Sequence, residues 1–126
     1  MPAAGLPREA RIRRAGDFAA LRQASGRLGG RCFSVRYRGN ELGHARLGLA
    51  ISKRVSKRAV ERNRIKRLVR ESFRRIRHQL PAFDLVVMAR EQASGLPGPE
   101  LLAEIDALWR KLLPLKPEGA AATMVI

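Results

Sequence analysis

From Cys32 to Arg38 the chain reads CFSVRYR, in which Phe33, Val35 and Tyr37 alternate with Cys32, Ser34, Arg36 and Arg38. A period of two predicts a strand. After the turn-forming stretch GNELGH (Gly39 to His44), ARLGLAIS (Ala45 to Ser52) alternates again. Leu47, Leu49 and Ile51 share one face. Beyond Arg46 the other face carries only Gly48, Ala50 and Ser52, which leaves room for something to lie close against the sheet. FDLVVMA (Phe83 to Ala89) is almost continuously apolar and predicts a strand buried on both faces, hence central in its sheet.

Three segments carry the helical period instead. A short helix is expected from near Asp17 to Ala24, with Phe18 and Leu21 on one side and Gly16 or Asp17 as its cap. A long one is expected from about Lys57 to Gln79, ended by Pro81, with Ile65, Leu68, Val69, Phe73, Ile76 and Leu80 as its buried stripe. The third runs from Pro99 to Leu113, with proline suited to its first turn. SGRLGG (Ser25 to Gly30) reads as a loop with room for one extra short strand. Residues 1 to 10 are expected to be flexible, residues 11 to 113 to form one domain, and residues 114 to 126 to be a disordered tail. The pattern is an α+β sandwich of a sheet with helices.

Composition adds a partner to this outline. The 126 residues include 26 Lys and Arg against 11 Asp and Glu, a formal net charge of +15. A domain so basic is expected to meet a polyanion. Twelve of the 26 cationic residues lie between Lys53 and Arg77. Solvated helix faces normally mix signs to gain i,i+4 pairs, and here only Glu71 offers one on the side opposite the apolar stripe. Arginine outnumbers lysine 21 to 5, which suits bidentate phosphate contact and stacking on bases. A membrane-surface helix would expose bulky apolar residues beside its charges, whereas this one commits them to a core. No apolar run approaches the ~20 residues needed to span a bilayer, and the N-terminus lacks the apolar centre of a secretory signal. The single cysteine, Cys32, excludes an internal disulfide and is expected to be buried. These features point to the cytoplasm.

The acids are scattered and the two histidines, His44 and His78, fall in a turn and near a helix end. No catalytic residues and no metal ligands are expected on this protein: a protein nuclease needs clustered carboxylates for metal ions or a histidine acid–base pair.

RNRIKRLVRESFR (Arg62 to Arg74), preceded by ISKR (Ile51 to Arg54) and RAVE (Arg58 to Glu61), resembles the protein subunit of bacterial ribonuclease P. RIRRAGDFAAL (Arg11 to Leu21), FSVRY (Phe33 to Tyr37) and DLVVMAR (Asp84 to Arg90) are similar to that family's basic N-terminal segment with first helix, first strand and later strand. The resemblance implies an α-β-β-β-α-β-α sandwich with a left-handed βαβ crossover. It also implies a function: binding the catalytic RNA and the 5′ leader of precursor tRNA, one protein per RNA, while the RNA with Mg2+ removes the leader by hydrolysis. No cofactor is expected on the protein itself.

Two sites carry over. The RNA-binding helix face comprises Arg62, Asn63, Arg64, Lys66, Arg67, Arg70 and Arg74, with Arg62 close enough to the apolar stripe to brace the helix start instead. The leader cleft comprises Phe18, Phe33, Val35 and Tyr37, rimmed by Lys53, Arg54, Lys57 and Arg90; aromatic stacking over a basic groove is how single-stranded RNA is held. Because the strand has two faces, Phe33 and Tyr37 have the core as their alternative. Arg22 also belongs to the cleft: it stands where many relatives have a second aromatic and would offer guanidinium contact in place of stacking. VSKR (Val55 to Arg58) departs from a common glycine-containing connection. A small ribosomal RNA-binding protein and a DNA-binding regulator are the competing readings. The second would need a helix face free for base reading and usually a dimer interface.

Overall fold

The structure, a computed structural model, describes residues 6–13, 16 and 26–116. Four strands and two long helices follow one another in it: β1 (Gly26–Gly29), β2 (Phe33–Gly39), β3 (Arg46–Ala50), α1 (Ala59–Ile76), β4 (Phe83–Ala89) and α2 (Gly98–Leu112). Short 3-10 turns occupy Arg8–Ala10 and Glu91–Ala93. The helix expected from Asp17 to Ala24, with Phe18 and Arg22, lies outside the described residues.

The strands form one sheet in the order β1-β2-β4-β3. β4 is therefore central, as its unbroken apolar run requires. It pairs antiparallel with β2 and parallel with β3, so α1 is the crossover between two parallel neighbours. SGRLGG is not wholly a loop: its Gly26–Gly29 portion is the edge strand β1, antiparallel to β2. The glycines hid it because they remove the alternation that marks a strand. Gly26 allows a close approach of the Tyr37 ring. A Cβ there would lie 2.1 Å from Cζ of Tyr37, whose ring crosses the position.

The register sorts side chains onto two faces. Leu28, Val35, Val87 and Leu49 form one cross-strand row and Tyr37, Leu85 and Leu47 the next. These rows face the helices. Phe33, Val35, Leu85 and Val87 are completely buried there, with Ile65, Val69 and Phe73 of α1 and Leu101 and Leu112 of α2. Cys32 is buried as expected. Leu68 and Ile76 flank the α1 stripe as half-buried residues, and Leu80 is buried beyond the helix end.

One buried residue of α1 is polar. Ser72 donates to Asp106 of α2 and accepts the indole N–H of Trp109 at 2.7 Å. The ring of Trp109 also packs on Phe73, centroids 5.7 Å apart. This network fixes the helices against each other, because a buried indole N–H without an acceptor costs about 1–3 kcal/mol.

Part of the N-terminal segment joins the fold. Leu6 and Ala10 lie in the core, and Ile12 bonds by its N–H to the Leu47 carbonyl at 2.9 Å, extending the free edge of β3. At the other end Leu115 packs on the core; residues 117–126 are outside the described residues.

Candidate nucleic-acid interface

α1 begins without a side-chain cap: Arg58 holds the cap position and makes no capping bond. Its first turn is organised by the side chains that follow. Arg62 donates through Nη1 to the carbonyls of Ser56 and Lys57, at 2.9 and 3.0 Å. Arg64 pairs with Glu61 at 3.0 Å and donates to the Leu96 carbonyl at 2.9 Å. Glu61 in turn accepts the N–H of Gly95 at 3.0 Å. The Arg64 guanidinium, and then the Gly95 N–H, hold the Glu61 carboxyl below the usual carboxylate range. Arg62 thus braces the incoming loop, the alternative its helical angle had suggested. Arg64 ties α1 to the loop before α2. Arg74 is paired with Glu71 at 2.5 Å, which lowers the Glu71 pKa.

The remaining predicted residues of this face behave differently. Asn63, Arg67 and Arg70 are exposed and Lys66 is half-buried. Among the described residues neither Arg67 nor Arg70 has an ion-pair partner. Lys66 and Arg70 also line a hollow of about 370 Å³, whose other wall includes Arg11, Arg13, Gly48 and Leu49. The basic face of α1 therefore continues onto the N-terminal segment. Arg11 and Arg13 escaped the residue-level reading, although the RIRR cluster was visible; only the bridge from Arg11 to Leu47 puts it beside α1.

The leader-cleft residues divide in the same way. Phe33 and Val35 have no exposed surface and are corrected from cleft to core. Tyr37 faces the core too, edge-on to Phe83 with centroids 5.0 Å apart. The physical reason is the pleat: the side of β2 that carries the aromatics is the side the helices cover. The opposite face holds Ser34 beside Met88 and Ala50, and Arg36 beside Val86 and Gly48. Its outer end is closed by Asp84, which pairs with Arg46 at 2.7 Å and accepts from Asn40 at 2.9 Å.

Part of this face is closed, with Val86 buried against Ile12; over the rest of it, among the described residues, a hollow of about 620 Å³ is lined by Ala50, Ser52, Arg54, Met88 and Arg90, with Glu91 also on its wall. Arg54 and Arg90, from opposite ends of the sequence motif, are brought together there. Lys53 and Lys57 are exposed on the connection before α1, outside the lining of that hollow. The hollow is thus a trough of small and flexible side chains whose rim carries Arg54 and Arg90 together with Glu91.

Residues 6–113 match the ribonuclease P family model. This chain belongs to the ribonuclease P protein family. The ribonuclease P protein component of Chromohalobacter salexigens is 43% identical over 109 residues, covering 86% of this chain and 85% of that one. The Staphylococcus aureus RNase P protein has the same fold, with a TM-score of 0.76 at 30% identity over 81% of this chain and 94% of its own. A mutant of the S. aureus protein described as having defective mRNA degradation activity matches at a TM-score of 0.77 and 29% identity, over 82% and 87% of the two chains. As a ribonuclease P protein component, the molecule is an RNA-binding protein of tRNA processing whose partner is the ribonuclease P RNA. No match favours the ribosomal reading. No helix among the described residues is long and apolar enough to cross a membrane.

Proposed function

We propose that this protein holds the ribonuclease P RNA on the α1 face and the 5′ leader of precursor tRNA in the trough on the open sheet face. In this reading one protein serves one RNA in the cytoplasm, and hydrolysis belongs to the RNA with Mg2+. The observation that carries it is the basic face of Arg67 and Arg70, unpaired among the described residues, on a helix whose apolar side is already committed to the core. A solvated structural helix gains from opposite charges at this spacing, whereas guanidiniums left without them are available to phosphate oxygens. Four of the acids are held within the fold: Asp84 with Arg46, Glu61 with Arg64, Glu71 with Arg74 and Asp106 with Ser72. His44 meets the Glu9 carbonyl at 2.8 Å.

Phe18 and Arg22 complete the proposal as leader contacts from the N-terminal segment. Stacking by Phe18 corresponds to about 1–3 kcal/mol of precursor binding.

The test is reconstitution with a bacterial ribonuclease P RNA at low magnesium, following cleavage of precursor tRNA. The complex should cleave where the RNA alone is slow, and should bind precursor more tightly than mature tRNA. A control without the RNA subunit is essential, since a S. aureus relative is associated with mRNA degradation. Cleavage by the protein alone, abolished by a point substitution in it, would overturn the assignment of chemistry to the RNA.

A further inference from the structure

The edge strand carries an arrangement that folding alone disfavours. Arg27 of β1 stands directly opposite Arg36 of β2 in an antiparallel register. Like charges so placed repel, and the sheet loses stability. Both side chains point to the open face, where they line a hollow of about 210 Å³ together with Ser34, Met88 and Arg90. Arg90 leans over the same strand: a Cβ on Gly29 would lie 3.2 Å from its Nη2. Among the described residues no carboxylate lines this hollow. The Nε of Arg36 is buried and has no hydrogen-bond partner. Three arginines therefore line one small hollow on which, among the described residues, no carboxylate opens.

We propose that Arg27, Arg36 and Arg90 clamp a backbone phosphate of the single-stranded RNA lying on the open sheet face, at the β1 edge. The inference rests on the leader-binding reading above and extends it. A phosphate is the ligand the chemistry selects. Guanidinium forks match its oxygens bidentately, and the hollow has no aromatic wall on which a base could stack. The larger hollow beside Arg54 shares Met88 and Arg90 with it. A strand of RNA passing over Met88 thus has its backbone carried to the Arg27–Arg36 pair. The contact reads charge and not sequence, so it reports leader length.

The experiment uses the reconstituted complex and precursor tRNAs with leaders from one to about ten nucleotides. Wild-type protein should bind long leaders more tightly than short ones. In R27Q/R36Q that preference should shrink by roughly tenfold, the size expected for losing a charge-assisted contact of ~1.4 kcal/mol. The variant's melting temperature should be unchanged or higher, because a repulsion has been removed. A second arm leaves the protein untouched: single neutral methylphosphonate linkages are walked along the leader. One linkage should cost the wild type roughly tenfold in affinity and cost R27Q/R36Q nothing further.

Outcomes separate cleanly. If wild-type protein shows no preference for precursor over mature tRNA, the leader reading itself fails. If the preference exists but no linkage is sensitive, or R27Q/R36Q keeps its full length dependence, the clamp is wrong and the leader reading stands. Loss of affinity for the catalytic RNA with intact leader dependence would place these arginines on the other RNA and also overturn the proposal.

Discussion

The guanidinium of Arg62 reaches back from the first turn of α1 to the carbonyls of Ser56 and Lys57, at 2.9 and 3.0 Å. The connection carrying Lys53, Arg54 and Lys57 is thereby held to the helix by a residue of the Arg-Asn-Arg motif. Arg62→Ala should cost about 1–2 kcal/mol of stability, in the range for charge-assisted hydrogen bonds at a partly exposed site. Hydrogen exchange between Ser52 and Arg58 should speed up, while the salt slope of RNA binding stays near that of the wild type. A large drop in that slope would make Arg62 a phosphate ligand.

Arg67 and Arg70 should show the opposite signature. Each is exposed and unpaired among the described residues, so Arg67→Ala or Arg70→Ala should leave the melting curve almost unmoved. The slope of log K against log salt for the ribonuclease P RNA should become shallower by roughly 0.7–0.9 per lost phosphate contact. An unchanged slope in both variants would mean that this face points to solvent in the complex.

Phe33 is completely buried on the helix side of β2. Phe33→Ala should cost about 3–5 kcal/mol of folding stability. Affinities for precursor and mature tRNA should fall together, through loss of folded protein. A stable variant with a selective loss of precursor binding would return Phe33 to the leader site.

Ser72→Ala deletes the acceptor of the Trp109 indole N–H, which lies at 2.7 Å in the buried contact between the helices. The expected cost is about 1–3 kcal/mol, visible in urea denaturation. RNA affinity measured well below the unfolding midpoint should be unaltered.

Acid should weaken the tie between α1 and the loop before α2. The folded Glu61 carboxyl titrates below its ordinary range because of Arg64 and the Gly95 N–H. A depressed folded pKa adds stability above the unfolded value, about 4.3, and that stability is lost as pH falls through the folded value. The stability difference between wild type and Glu61→Gln should therefore be present at neutral pH and shrink on acidification below about pH 4. A difference constant across that window would show that the pair adds no pH-linked stability.

The periodic elements were legible in the residues because burial writes itself into spacing. In α1, Ile65, Val69 and Phe73 recur at helical intervals, and all three are fully buried. The apolar run of β4 announced a central strand, and Gly48 and Ala50 announced room for close approach to the sheet: Gly48 is buried beside a hollow that Arg11 and Ile12 also line. The Arg-Asn-Arg helix and its excess of positive charge announced a polyanion, since no arrangement of this chain alone neutralises +15.

What the residues left open was which side of each element meets which partner. The alternation in β2 fits either orientation, and only the helices packed on Phe33, Val35 and Tyr37 removed the aromatics from the candidate cleft. The helical angle of Arg62 set it apart, but Arg64 and Arg67 look equivalent in a basic run. Backbone carbonyls from Ser56, Lys57 and Leu96 engage the first two, and among the described residues the third has none. Arg27 and Arg36 lie nine residues apart, and strand pairing alone sets them face to face. Local periodicity is dictated by a residue's own neighbours along the chain, whereas these relationships depend on the strand register and on the packing of distant segments.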